Sequence, residues 1–458
     1  MILYYLMPII FIVGILMIAL EDVIKVNKAA TAVGMSILLW LIFLIDATGI
    51  FTANPPVHLQ EFLNGFPSFA ELSTTELAYE FLEFKLVNSL GDVATTLFFV
   101  LGSMAIIDVI DSHGGFGVIS SAIQTNRQRK LLWIISFITF ILSVVLGNLA
   151  TVIVMIAIAR KLVPERNTRL IFSSMIIIAA NAGGSWSPIG DVTTLLLWTG
   201  GNLTVVHQMT TLLLPALVMM LVPLTGATLM LPKGGIVERM AVDDGVESKK
   251  VDPKFRKQIL VVGLLSLAMV PVLQSLIQLP PFMGVLLGLV LLWIMTDRRY
   301  SSSEDEELQE LRLHRVFSRV DISTVFFFLG ILMSVNALNA TGILAKLADF
   351  LNATFSEVNA IAFVLGVCSS FLDNVALVSA TMGMYPVASM GEFACDSSFW
   401  TFLAYCAVTG GSILIIGSAS GVTVMGMEKI PFGYYLKRFS LLILLGYTVG
   451  ALVYMLIA

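Results

Sequence analysis

Apolar runs of about 20 residues follow one another along the chain, separated by short polar segments, and runs of that length suit helices that cross a bilayer. They predict spanning helices near 2–20, 29–50, 88–111, 168–200, 205–230, 258–278, 281–296, 320–339, 398–429 and 433–457. Two further apolar stretches, 131–163 and 357–390, break at their centres around Gly147-Asn148 and Asp373-Asn374. Each is too long for one simple span, and neither half is long enough to cross alone. They read as re-entrant hairpins with those residues at the tips; a tight turn at the far surface is the alternative. The predicted fold class is an all-α polytopic membrane protein with about ten transmembrane helices plus two hairpins.

Composition agrees. The 458 residues are 57% hydrophobic and only 12% charged, against about 25% charged in a soluble domain, which excludes the soluble globular class. Cys368, Cys395 and Cys406 are too few and too apolar in setting for a disulfide frame or metal cluster. There is no CxxC, HExxH or P-loop pattern, and His58, His113, His207 and His314 are scattered. No enzyme chemistry, cofactor or nucleic-acid partner is expected. Ile2–Leu20 lacks a basic flank and is followed by Glu21 and Asp22, so it reads as a retained helix rather than a signal peptide.

Charge sets a predicted orientation. If 2–20 runs inward, all but Lys85 and Lys346 of the 26 lysines and arginines face the cytoplasm, as the positive-inside rule requires. Both termini then lie outside, as does the acidic 51–86 loop. Its later part, 72–88, reads as an amphipathic surface helix. The 232–257 linker and the 297–319 loop are cytoplasmic, and a bacterial inner membrane is the expected location.

Short motifs recur in order. Phe98–Gly102 returns as Phe326–Gly330, Asn148-Leu149-Ala150 as Asn374-Val375-Ala376, Gly183–Ser185 as Gly410–Ser412 and Ile189-Gly190 as Ile416-Gly417, at offsets of 226 to 228 residues. This predicts two repeats, 1–231 and 258–458, each with five spans and one hairpin, so that the second enters the membrane inverted. Inverted repeats with interrupted helices mark the binding site of a secondary transporter.

The chemistry gathers at those interruptions. Asn181–Thr194 sets three glycines and a proline inside the 168–200 span, which frees backbone carbonyls. With Asn181, Ser185, Asp191, Thr193 and Thr194 they offer hard oxygen ligands for a small cation. The counterpart in 398–429 supplies Ser412 and Ser418 but no carboxylate; Ser418 aligns with Asp191. Asn148 and the pair Asp373-Asn374 complete the candidate set from the hairpin tips. An acid inside hydrocarbon costs roughly 2.5–3.5 kcal/mol on insertion scales, so Asp191 and Asp373 are functional candidates. The simpler alternatives are a kinked helix packed on small residues and, for Asp373, a helix cap. Asp108 and Asp111 read as capping or interfacial. No Lys, Arg or His lies near either break in the sequence, which favours a cationic cargo over an anion.

Three segments, Asn181–Thr194 (NAGGSWSPIGDVTT), Ser370–Tyr385 (SFLDNVALVSATMGMY) and Gly410–Gly421 (GGSILIIGSASG), resemble the NhaD-type sodium/proton antiporters of the ion transporter superfamily. The resemblance covers most of the chain from about residue 90. It implies exchange of Na+, often also Li+, for protons, a homodimeric scaffold and an elevator-like movement of the site. One departure stands out: the family's first hairpin tip looks to be Asp-Asn, whereas here it is Gly147-Asn148, which bears on stoichiometry, pH profile and sodium coupling. A sodium-coupled carboxylate transporter of the same superfamily is the rival reading. An intramembrane aspartyl protease using Asp191 and Asp373 is a further rival, but Pro188 stands where its GxGD motif needs glycine.

Overall fold

The computed structural model describes residues 2–53, 59–117, 123–237, 251–301, 305–313 and 320–458. Parts of the predicted 51–86, 232–257 and 297–319 segments, with His58, Glu304 and His314, lie outside the described residues. The longer helices are α1 (Ile2–Ala19), α2 (Lys28–Ile45), α3 (Thr74–Ser112), α4 (Gln128–Leu146), α5 (Asn148–Leu162), α6 (Arg166–Ser185), α7 (Val192–Thr199), α8 (Val205–Met230), α9 (Pro253–Ile277), α10 (Pro281–Tyr300), α11 (Ile322–Ala340), α12 (Ile343–Thr354), α13 (Val358–Cys368), α14 (Asn374–Met384), α15 (Ser398–Gly410), α16 (Ala419–Glu428) and α17 (Leu441–Ile457). No named strand occurs among the described residues.

By length and composition, 8 helices can cross a membrane among the described residues, or 9 if α12 and α13, bent by 116°, form one span. The protein is thus an all-helical polytopic membrane protein. Helix α6 is less apolar, because Arg166, Asn167, Arg169, Asn181 and its two glycines lower its hydropathy.

Three expectations need correction. The surface helix at 72–88 and the span at 88–111 are one continuous helix, α3, of 39 residues. Gly91 is the breaker nearest that join, and one glycine costs only about 1 kcal/mol in a helix. The first limb of the 131–163 stretch, α4, has 19 residues and is apolar enough to cross alone. Finally, α12 occupies a stretch for which no element was predicted; its charged residues interrupt the apolar run, but Leu344 and Ala348 still make a buried stripe.

The chain forms two compact units, and each draws on both halves of the sequence. The first comprises Met1–Leu97, Asp321–Ile361 and Val375–Ala394. At its centre α2 packs on α11. A Cβ on Gly330 would lie 2.4 Å from the backbone of Ala32 and Val33, so only glycine allows this approach. The Trp40 indole N–H donates to the Met333 carbonyl at 2.9 Å, which satisfies a polar group in an apolar setting. The second unit comprises Phe98–Val320, Ala362–Asn374 and Cys395–Ala458. Its core is α6 and α15, whose residues are almost all buried, with α4, α5, α8 and α17 around them. Every residue of the candidate site belongs to this second unit.

Candidate cation site

Helix α6 stops at Ser185, and α7 restarts after Asp191. The backbone folds back between them because Gly184 and Gly190 touch. A Cβ on Gly184 would meet the Gly190 carbonyl oxygen at 2.5 Å, and one on Gly190 would meet that of Gly184 at 2.6 Å. The break between α15 and α16 is built alike: the corresponding distances for Gly411 and Gly417 are 2.9 and 2.7 Å. Each break is also held by a serine from a neighbouring helical limb. Ser143 Oγ donates to the Ala180 carbonyl at 2.6 Å, and Ser369 Oγ to the Ala407 carbonyl at 2.8 Å. The predicted break between α4 and α5 falls at Gly147, whose φ of 77° favours glycine. Asn148 then starts α5, and its backbone N–H donates to the Gly190 carbonyl at 2.9 Å.

These turns bring side chains from four segments together. Asp191 is 5% exposed. Its Oδ1 accepts the Thr193 backbone N–H at 2.7 Å, and the Thr194 hydroxyl receives the Asp191 backbone N–H at 3.2 Å, so Asp191 and Thr194 close a capping box at the start of α7. The Asn148 side-chain amide donates to Asp191 Oδ2 and, at 3.0 Å, to Asn181 Oδ1. Asn374 Nδ2 reaches the same carboxylate from the start of α14, at 3.3 and 3.4 Å. Asn181 is the hub. Its Nδ2 donates to Ser412 Oγ at 2.9 Å and Ser418 Oγ at 3.0 Å, while its Oδ1 also accepts from Ser420 Oγ at 2.6 Å. All four hydrogen-bonding capacities of that amide are therefore used.

Most predicted residues meet here. Asp191, Asn148, Asn181, Asn374, Ser412 and Ser418 form one connected network, and Ser418 caps α16 just as Asp191 caps α7. Thr193 contributes its backbone N–H, and its buried hydroxyl has no hydrogen-bond partner among the described residues. Thr194 serves the turn, with its hydroxyl donating to the Ser187 and Asp191 carbonyls. One predicted residue, Ser185, stands apart from the network. The Ser185 hydroxyl turns back to its own helix, donating to the Ala182 carbonyl at 2.8 Å. Asp373 is half-buried, directly before Asn374 at the start of α14.

Two contributors lie outside the predicted set. Ser420 binds the hub directly; the repeated hydroxyls of Ser418-Ala419-Ser420 were its signal. Tyr435, fully buried, donates its hydroxyl to the Ser412 carbonyl at 2.9 Å and so steadies the second break. Its distance along the chain hid it.

Three N–H donors thus surround the Asp191 carboxylate, and no Lys, Arg or His hydrogen-bonds it among the described residues. No group of three His, Cys, Asp or Glu side chains suited to a metal ion occurs there either. The available oxygens are carboxylate, amide, hydroxyl and carbonyl, the set that suits hard cations of low charge.

Comparison with known proteins agrees with this setting. Residues 1–397 match the family described as CitMHS, citrate transporter. Sodium/proton antiporter 1 of Arabidopsis thaliana is 39% identical across 98% of this chain and 72% of its own length. Sodium/proton antiporter 2 of the same plant is 36% identical across 98% of both chains. The Na(+)/H(+) antiporter NhaD of Alkalimonas amylolytica is 33% identical across 76% of this chain and 73% of its own. With an all-helical membrane fold, two matching interrupted helices and these relatives, the chain belongs to the CitMHS family of transporters, within the ion transporter superfamily.

Proposed function

We propose that this protein exchanges Na+ for H+ across a membrane and that Asp191 is the carboxylate for which the two compete. The carrying observation is a buried carboxylate held by amide N–H groups at a helix break, with no basic side chain hydrogen-bonded to it among the described residues. A charge so placed needs a neutralising partner in hydrocarbon. Either a proton or a small cation supplies it, and each excludes the other. Asp373, directly before Asn374, is the second candidate acid. Sodium/proton exchange by the Arabidopsis and NhaD relatives supports the reading.

The finer parts of the proposal follow from the same pattern. Paired contacts at the two breaks, Ser143 with Ala180 and Ser369 with Ala407, support two related repeats. Re-entrant hairpins, inverted topology, an elevator-like motion of a homodimer, Li+ as a second cargo and the predicted orientation with both termini outside belong to this reading. So does a bacterial inner membrane, although the first two relatives come from a plant. No cofactor is required.

The family description, citrate transporter, favours one rival, a carboxylate carrier, which we read as sodium-coupled. Dequenching of a pH-gradient dye in inverted vesicles separates the two. NaCl- or LiCl-dependent dequenching across pH 7 to 9, absent in Asp191→Asn, is expected. No response to any cation, together with sodium-driven citrate uptake, would transfer the assignment to the rival.

A further inference from the structure

The three helices whose ends meet at Asn181 are tied a second time at their opposite ends. Asn148 opens α5, Asn181 lies near the end of α6, and Ser418 and Ser420 open α16. Arg160 lies in the last turn of α5, Arg169 in the first turn of α6, and Glu428 is the last residue of α16. The Glu428 side chain is only 2% exposed. Its Oε1 accepts Arg160 Nε at 2.5 Å and its Oε2 accepts Arg169 Nε at 2.8 Å.

Each guanidinium also holds backbone. Arg160 Nη2 donates to the Met427 carbonyl, and Arg169 Nη1 to the carbonyls of Val163 and Pro164 at 3.1 and 2.7 Å. A carboxylate at a helix C-terminus is opposed by the helix dipole, so its own helix disfavours Glu428 there. Burial disfavours it further. Capping alone does not account for this residue, since arginines could satisfy the carbonyls without it. What Glu428 adds is a junction between three helices that carry the site.

We infer that the Glu428, Arg160 and Arg169 tie is a positioning device for cation binding, an inference that rests on the antiporter reading. At about 1.5 Å per residue, the tie stands roughly 18 Å from Asn148 along α5, the same from Asn181 along α6, and roughly 12–15 Å from Ser420 and Ser418 along α16. The helices are stiff over such lengths, so the ionic junction sets how they slide and tilt. Their other ends then present Asn148, Asn181, Ser418 and Ser420 in register around Asp191. The three residues are positioning residues; none touches the cation.

The test is exchange by the full-length protein in proteoliposomes, with half-saturating Na+ and maximal rate measured separately. Glu428→Gln is expected to raise half-saturating Na+ about tenfold, the lower end of what loss of supporting contacts costs a metal site, with maximal rate largely kept. Arg169→Gln keeps the Arg160 pair and is expected to raise it severalfold; it also serves if Glu428→Gln fails to insert. A merely structural tie would lower the amount of active protein, and so the maximal rate, with half-saturation unchanged; that result overturns the inference. If the wild-type protein exchanges no cation, the antiporter reading falls and this positioning role falls with it. Wild-type exchange with unchanged half-saturation in both variants removes the tie alone.

Discussion

The two interrupted helical segments share a backbone and differ in charge. In both, a pair of glycines lies back to back and a serine from a neighbouring limb holds a carbonyl of the first half. In both, a short polar residue caps the second half. At that cap one carries Asp191 and the other Ser418. The two breaks are thus built alike and their caps differ in charge. A single buried carboxylate can be neutralised by one monovalent cation or one proton, whereas two facing acids would leave a net charge in hydrocarbon. Under the proposed exchange, this asymmetry leaves one charge for a cation or a proton to neutralise.

The sharpest way to break the comparison is to treat the two caps alike. Asp191→Asn keeps the shape but loses the charge and one acceptor oxygen, and exchange should fall to background. That loss exceeds the roughly 10–100-fold expected from supporting contacts alone. Ser418→Ala removes a cap and one acceptor of Asn181, at a cost of about 1 kcal/mol, and should leave exchange measurable. Equal losses in vesicle dequenching would show that the two caps do the same job.

A second comparison concerns the glycines. Gly184→Ala and Gly411→Ala introduce the same methyl group at 2.5 and 2.9 Å from the opposing carbonyl oxygen. Overpacking of this kind costs typically about 1–3 kcal/mol, and Gly184→Ala should lie at the upper end. Thermal unfolding in detergent, followed by the yield of monodisperse protein, ranks them. If Gly411→Ala proves the worse, the second break is the more constrained of the two.

The smallest effect comes from a histidine remote in sequence from both breaks. His113 is fully buried at the end of α3, bonded through Nδ1 to the Val109 carbonyl at 2.7 Å and packed against Phe255 and Tyr300. Burial pushes its pKa down to about 4. The unfolded chain therefore takes up the proton first, near pH 6.5, and stability is lost as pH falls through that value. Between pH 7 and 6 the loss should be under about 1 kcal/mol, and absent in His113→Phe. Acid sensitivity of unfolding that survives this substitution must arise elsewhere, the two breaks included.

Much of this was legible in the chain. Glycines and a proline within an apolar run announce a break, because they cannot hold helix hydrogen bonds there, and both interruptions fall where Gly183-Gly184 and Gly410-Gly411 put them. Acids and amides in hydrocarbon announce function, and Asp191, Asn148, Asn181 and Asn374 do converge. Side-chain direction was not legible: Ser185 sits at the break but turns to its own helix. Nor were long-range partners, since Tyr435 and Glu428 look like ordinary interfacial residues until folding brings Ser412 and the arginines to them. Continuity misled as well, for polarity across 74–88 reads as a change of element although the backbone of α3 does not change.

That helix has a practical consequence. At about 1.5 Å per residue its 39 residues measure roughly 58 Å, nearly twice the roughly 30 Å of hydrocarbon in a bilayer. Its first turns are closed by Ser73 and Glu76, whose side chains bond at 2.7 Å. A capped helix of this length is longer than the hydrocarbon alone can cover. A spin label or fluorophore at Ser73 would move with the helix rather than on a flexible tether, making the tip a natural ruler for distance measurements during turnover.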